Sequence, residues 1–186
     1  MKRIFERLLA VLIGVIALFP LLLIGSLVWI TSRGSIIYWS ERRGVGNRVF
    51  KMPKFRTMEA TTPVLASHLL SNVTQYLTPI GSFLRKSSLD ELPQLWSIIK
   101  GDMSFVGPRP ALFNQHDLIA LRASEGVDQL LPGLTGWAQV NGRDELSIED
   151  KVALDVFYLK NQSLWFDIKI LWMTLIKVVR REGVSH

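Results

Sequence analysis

LLAVLIGVIALFPLLLIGSLVWI, running from Leu8 to Ile30, holds 23 residues without one charged side chain. A helix rises 1.5 Å per residue, so about 20 residues cross the roughly 30 Å hydrocarbon core of a bilayer. The stretch is long enough to meet lipid. Pro20 stands near its middle, removes a backbone donor and clashes with the preceding turn, so a kink is predicted there. Lys2, Arg3 and Arg7 precede the stretch; Arg33, Arg42, Arg43, Arg48, Lys51, Lys54 and Arg56 follow it, against Glu41 alone. Cationic flanks prefer the cytoplasmic side, and here both flanks are cationic. A hairpin that turns at Pro20 and leaves on the face it entered satisfies both ends, with arms of about 12 residues or roughly 18 Å each. A simple span satisfies length alone, and the residues leave both arrangements open. A cleaved signal peptide fits less well, because the apolar run exceeds the usual core of about 7–15 residues.

Composition agrees that part of the chain meets lipid. Its 186 residues allow about one domain plus attachments. Apolar residues make up 48% and charged residues 20%, with a mean hydropathy of +0.24, which excludes a disordered chain. The absence of cysteine excludes a disulfide scaffold, a thiolate metal site and a cysteine nucleophile. A net charge of +6 favours an anionic partner: nucleic acid, anionic lipid or a phosphorylated substrate. His68, His116 and His186 have no metal-ligand spacing, and no GxSxG, Walker or GxGxxG pattern occurs.

Beyond the apolar stretch, Ile36–Trp39 and Val49–Met52 read as two short strands around a glycine-containing turn. Residues 60–80 read as a loop with one short helix. Helix is predicted over 90–100, ended by Gly101, over 111–125 and over 147–159. Leu131–Gly136 reads as a turn and Trp137–Val140 as a strand. From Ser163 to Arg181 the pattern is helical, with Lys169, Lys177, Arg180 and Arg181 on one side. Leu171, Trp172, Leu175, Ile176, Val178 and Val179 lie opposite, while Ile170 and Met173 break the cationic arc. Such a helix suits a membrane interface, or the core of the soluble part. The fold class expected is α+β: a mostly helical small cytosolic domain with a short β-hairpin, a broken N-terminal membrane helix and a C-terminal amphipathic helix.

Candidate chemistry centres on Arg85-Lys86-Ser87-Ser88-Leu89-Asp90-Glu91-Leu92-Pro93-Gln94. Ser88 to Glu91 matches a capping box. Pro93 argues instead for Asp90 as the N-cap, since a proline at the third helical position loses no hydrogen bond. A carboxylate there can cap, attack phosphorus or ligate Mg²⁺. Arg109 lies between Pro108 and Pro110, which suits bidentate phosphate contact or a plain surface turn. Lys54 and Arg56 alternate around Phe55, and Gln139, Asn141 and Arg143 alternate likewise. Either set can serve a ligand or a solvated face.

Four ordered blocks then stand out: Lys54–Met58 (KFRTM), Ser88–Leu95 (SLDELPQL), Lys100–Pro110 (KGDMSFVGPRP) and Pro132–Arg143 (PGLTGWAQVNGR). With Leu154–Tyr158 (LDVFY) and Ser163–Lys169 (SLWFDIK), they closely resemble the bacterial sugar transferase family, the monotopic polyprenyl-phosphate phosphoglycosyl transferases, over nearly the whole chain. The resemblance implies a re-entrant membrane helix broken at a proline over residues 1–31 and a membrane-associated catalytic domain over 32–186. This chain has Phe19-Pro20 where the family often has Ser-Pro, and Ser32-Arg33-Gly34-Ser35 where Ser-Pro-Gly-Pro is common. The implied reaction moves a sugar 1-phosphate from a UDP-sugar to polyprenyl phosphate, expected to be undecaprenyl phosphate, and releases UMP. The carried-over dyad is Asp90 and Glu91, with Asp90 as nucleophile and Mg²⁺ ligand. Lys54, Arg85 and Arg109 become expected phosphate contacts, Gln139 a nucleotide contact, and Asp155 and Asp167 members of the site's polar network. Implied partners are the UDP-sugar, the polyprenyl phosphate and anionic lipid at the cytoplasmic face of a bacterial inner membrane, without nucleic acid. Two rivals remain: a catalytically silent scaffold that binds the same ligands, and a membrane-tethered nucleic-acid binder.

Overall fold

The computed structural model describes residues 2–32, 34–59, 61–63, 73–142 and 145–180. Arg143, Arg181, His68, His186 and most of the 60–72 stretch discussed above lie outside them. The chain opens with α1 (Lys2–Ile16) and α2 (Leu18–Thr31), joined at Ala17 and bent by 64°. The bend falls where a proline at position 20 places it. Its ring crowds the carbonyl four residues earlier, that of Ile16, and it has no N–H to offer. Hydrogen bonds resume at once on either side, Ala17 N to Ile13 O and Leu21 N to Ala17 O, both at 2.8 Å. Among the described residues no single helix is long and apolar enough to cross a membrane; the bent pair reaches that length and composition together.

Strands β1 (Ile37–Arg43) and β2 (Val49–Phe55) form the expected antiparallel hairpin. Its turn places Gly46 and Asn47 at φ of 60° and 59°, a region that glycine and asparagine tolerate best. The remaining elements are α3 (Gly81–Lys86), α4 (Leu95–Lys100), β3 (Ser104–Val106), α5 (His116–Ser124), β4 (Gly133–Thr135), α6 (Trp137–Val140), α7 (Ile148–Lys160) and α8 (Leu164–Arg180). Two compact units arise. One takes the chain up to Ser40 together with Met52–Ile99, the other Glu41–Lys51 together with the chain from Lys100 on.

The core of the first unit gathers Ile24 and Val28 of α2, Phe55 of β2 and Leu84 of α3. Leu21, Ile36, Ile37, Ile80, Leu89 and Leu92 pack around them. Each such side chain, once buried, contributes about 1.5–3 kcal/mol. The second unit joins α5 to α7 through Ala111, Leu118 and Val152, with Ile119, Leu121 and Val156 beside them. It also holds a parallel pair, β3 on β4, in the register Ser104 with Gly133 and Val106 with Thr135.

Three local expectations are corrected here. The stretch read as a turn contains β4, and the predicted strand over 137–140 is the helix α6. The reason is close backbone approach: a Cβ at Gly133 would lie 2.1 Å from Gly107 N, and one at Gly136 would lie 2.1 Å from Gly107 O. Glycines read locally as turn signals are what let this segment run alongside β3. Asp90 is not an N-cap either. A 3-10 helix spans Leu89–Gln94 with Ser88 before it, and Pro93 sits inside. The proline's missing hydrogen bond is accommodated by the tighter winding, and α-helix begins only at Leu95.

Candidate active site

In the first unit the site is built on a sharp local turn. Helix α3 ends at Lys86, and Ser88 takes a left-handed conformation at φ 56° and ψ 15°. That region is strained for a residue with a side chain. Ser88 makes no side-chain cap; its carbonyl accepts from Glu91 N at 3.2 Å. The chain then winds at three residues per turn, so Leu89 and Leu92 face the same way and enter the core shared with α2. Asp90, between them in sequence, is buried at 7% exposure. Glu91 accepts a charge-assisted bond from Lys54 Nζ at 2.7 Å, and both side chains are largely screened from water. Lys54 comes from β2, so the hairpin and the 3-10 turn are joined by an ion pair. Arg85 Nη1 lies 3.4 Å from Met58 Sδ, which joins the KFRTM block to the end of α3. The structure therefore brings Lys54 and Glu91 into contact within the unit that also carries Asp90 and Arg85.

Close packing supports this turn from beneath. A Cβ at Gly81 would stand 2.2 Å from Thr57 O and 2.9 Å from Thr78 Oγ1. Thr57 O also accepts from Thr78 N at 2.9 Å. The helix that leads into Ser88 thus lies directly against the KFRTM backbone.

In the second unit the predicted residues gather around the Gly107–Pro110 loop. Arg109 sits on that loop, half-buried. Its carbonyl accepts from Arg122 Nη1 at 2.8 Å. Arg122 also donates from Nε at 2.9 Å and Nη2 at 2.6 Å to Asp155 Oδ2. Burial pushes the Asp155 carboxyl above the ordinary carboxylate range, and the Arg122 charge draws it part of the way back. Asp155 is spent on Arg122, and Arg122 on the loop. Asp167 Oδ1 accepts from Tyr158 at 2.7 Å. Gln139 points its amide back at Gly136, whose added Cβ would meet Gln139 Oε1 at 2.5 Å, and neither amide atom has a partner among the described residues. The structure places Asp155 and Asp167 as supports of the loop, through Arg122 and Tyr158, while the Gln139 amide is held by neither.

Sequence reasoning missed Arg122, Tyr158 and Arg43. A signal for Arg122 existed: it follows Leu118 by four residues on the core face of α5. An arginine at such a position requires a buried acid, and Asp155 lies between the buried Val152 and Tyr158 at helical spacing on α7. Arg43 lines a small open cleft with Asn47, Arg109, Arg122 and Asp128. Its guanidinium donates to Asn47 O at 2.9 Å and Phe113 O at 3.4 Å. No periodicity in the hairpin turn announces that role.

Comparison with known proteins settles the lineage. A family model described as bacterial sugar transferase matches residues 1–181. The chain belongs to this family. It is 41% identical to the exopolysaccharide production protein ExoY of Sinorhizobium fredii, over 98% of this chain and 87% of that one. It is 40% identical to the UDP-galactose-lipid carrier transferase of Erwinia amylovora, over 98% of this chain and 41% of the relative. It is 38% identical to the UDP-glucose:undecaprenyl-phosphate glucose-1-phosphate transferase of Xanthomonas campestris, over 96% of this chain and 38% of the relative. The chain thus spans about two fifths of these last two proteins and most of ExoY.

Proposed function

We propose that this chain is a phosphoglycosyl transferase that moves a sugar 1-phosphate from a UDP-sugar to undecaprenyl phosphate, an early membrane step in bacterial polysaccharide assembly. The names of the Erwinia and Xanthomonas relatives support that class of donor and acceptor. The observation that carries the reading to this chain's own residues is the buried Asp90 beside the Glu91–Lys54 pair.

In the proposed reaction Asp90 attacks the sugar-bearing phosphorus. The bond from that phosphorus to the bridging oxygen breaks, and UMP leaves with its electron pair. An oxygen of the polyprenyl phosphate then attacks the acyl phosphate, and the Asp90 carboxylate returns. No net proton is consumed, so Asp90 needs to be ionised rather than to act as an acid. Glu91, held by Lys54, keeps the 3-10 turn from swinging while Asp90 is esterified. Lys54, Arg85 and Arg109 serve as phosphate contacts and Gln139 as a nucleotide contact; Asp155 and Asp167 act through the loop that carries Arg109.

A divalent cation fits this donor set in one way. Among the described residues no three His, Asp or Glu side chains cluster as a cage. Mg²⁺ commonly takes one or two carboxylates, with phosphates and water completing its shell, and Asp90 is the carboxylate proposed here. When bound it would neutralise diphosphate charge that otherwise repels an attacking carboxylate.

The anchor belongs to the same proposal. The bent α1–α2 pair enters one leaflet from the cytoplasmic face, so residues 1–31 hold the catalytic remainder at the height of a lipid phosphate. Helix α8 assists. Leu164, Trp165, Ile168, Trp172, Leu175 and Val179 occupy one arc of about 100° and are exposed, Trp165 at 80%. Asp167 and Ile170 are buried on the other side. The residue that broke the cationic arc is therefore the one facing the protein, and an apolar face faces outward to lipid.

The experiment is a screen of UDP-sugars with undecaprenyl phosphate, reading UMP release and the intact mass of the protein. One donor should release UMP and leave a phosphosugar adduct on Asp90 when acceptor is withheld. Absence of UMP with every donor would remove the proposal; UMP without any adduct would remove the covalent route.

A further inference from the structure

Tyr158 is fully buried on α7, and no step above uses it. Its hydroxyl lies 2.7 Å from Asp167 Oδ1 and 3.3 Å from Val106 O. The peptide group that follows Val106 ends in Gly107 N, which donates to Thr135 O at 2.9 Å. The Thr135 hydroxyl in turn lies 2.7 Å from the Thr174 hydroxyl. Both polar atoms of the Val106–Gly107 peptide are thus fixed by routes that end on α8, one at Asp167 and one at Thr174. Those two residues are seven apart, two turns along one face.

The geometry points to Tyr158 as a positioning residue for Arg109: with Thr135 it clamps the Val106–Gly107 peptide plane to α8. Arg109 stands two residues beyond Gly107, between two prolines whose φ is fixed. Gly107 itself is hemmed in, since a Cβ there would stand 2.3 Å from Leu131 O, and Pro108 O accepts from Gly133 N at 2.9 Å, so a rotation of that peptide plane is passed along to Arg109. The phenol has one proton for two acceptors. That proton is shared in a three-centre bond, with the carboxylate as the short arm and Val106 O as the long one. The outer face of α8 is the apolar arc described above, so the helix that braces the loop is the one proposed to rest on lipid. The consequence for catalysis rests on the reading of Arg109 as a phosphate contact; the clamp itself does not.

The test uses the full chain in lipid nanodiscs. Tyr158→Phe keeps the ring and the core while deleting the hydroxyl. Hydrogen exchange at the Gly107 and Arg109 amides should quicken by about tenfold in this variant, with the amides of α5 unchanged. Unchanged exchange at Gly107 and Arg109 overturns the clamp. With an active UDP-sugar, Tyr158→Phe should raise the donor KM by about tenfold and alter kcat less. Asp167→Asn keeps an acceptor for the phenol and should raise KM less than Asp167→Leu does. On an Arg109→Gln background, Tyr158→Phe should add no further loss. An unaltered KM in Tyr158→Phe, or full additivity with Arg109→Gln, overturns the positioning role. If the unmodified protein releases no UMP from any donor, the proposed function fails, and the exchange measurement still decides the clamp.

Discussion

The turn that carries Asp90 and the loop that carries Arg109 solve the problem of holding a charged group by opposite means. The turn is short, contains a proline, follows a strained serine and is fastened by two leucines in an apolar core. Lys54 and Glu91 form an ion pair on it. The loop is framed by backbone and side-chain hydrogen bonds on every side: Arg122 on Arg109 O, Gly133 N on Pro108 O, Arg42 on Pro110 O. The difference matches the work proposed for each. A nucleophile moves by a bond length as it joins and leaves phosphorus, and the turn proposed to carry it is seated on apolar side chains. A phosphate contact gains most from being rigid beforehand.

The sharpest way to break the contrast is Asp90→Asn. It should lower UMP release by about a thousandfold or more and abolish the adduct, with the thermal transition little changed. Turnover near that of the unmodified protein would end the assignment of the turn as the reacting site.

Arg122→Ala tests the loop and should unfold it. Leaving the Asp155 carboxylate buried without its cation should destabilise the protein by about 3–5 kcal/mol at neutral pH, read by denaturant titration. The pH dependence has a definite sign. Burial raises Asp155 in the folded state, so the folded chain holds a proton that the unfolded chain has already released. The stability from this group is full below the ordinary carboxylate range and is lost as pH rises through the raised folded value. Deleting Arg122 removes the opposing attraction and extends that window upward. The deficit of Arg122→Ala should therefore shrink as pH is lowered from about 7 to about 5. A deficit that grows on acidification would mean the pair is not the source.

Smaller effects sharpen the picture at its edges. Trp165→Ala with Trp172→Ala should weaken partition into anionic vesicles by about tenfold, with unchanged circular dichroism. Equal partition would remove α8 from the interface. Ser88→Gly relieves the left-handed strain at the cost of unfolded-state entropy, so its stability should shift by under about 1 kcal/mol. A large loss there would show that the Ser88 side chain has a role the backbone geometry does not reveal.

Much of this was legible in the chain. The apolar run and Pro20 announced a bent pair, the Gly-containing turn announced a hairpin, and Ser147 announced the start of α7, whose side chain accepts from Asp150 N at 3.0 Å. What escaped were features set by distant partners. Gly133 and Gly136 look like turn residues until Gly107 arrives from 26 residues away along the chain to lie against Gly133. Pro93 argues for a later helix start unless the preceding turn is allowed to wind as 3-10. At the site, Asp90, Glu91 and Lys54 were readable as a set from their motifs. Asp155 and Asp167 were readable as members of a polar network but not as supports, because their partners Arg122 and Tyr158 were not singled out by any motif.

Leu21, Ile24 and Val28 share their packing with Leu89 and Leu92. The membrane arm is therefore no interchangeable leash. It forms the floor under the turn that carries Asp90, and trimming it would pull out that floor. On the proposed reading, depth in the bilayer and alignment of the attacking oxygen become one adjustable quantity, set by the same handful of aliphatic side chains.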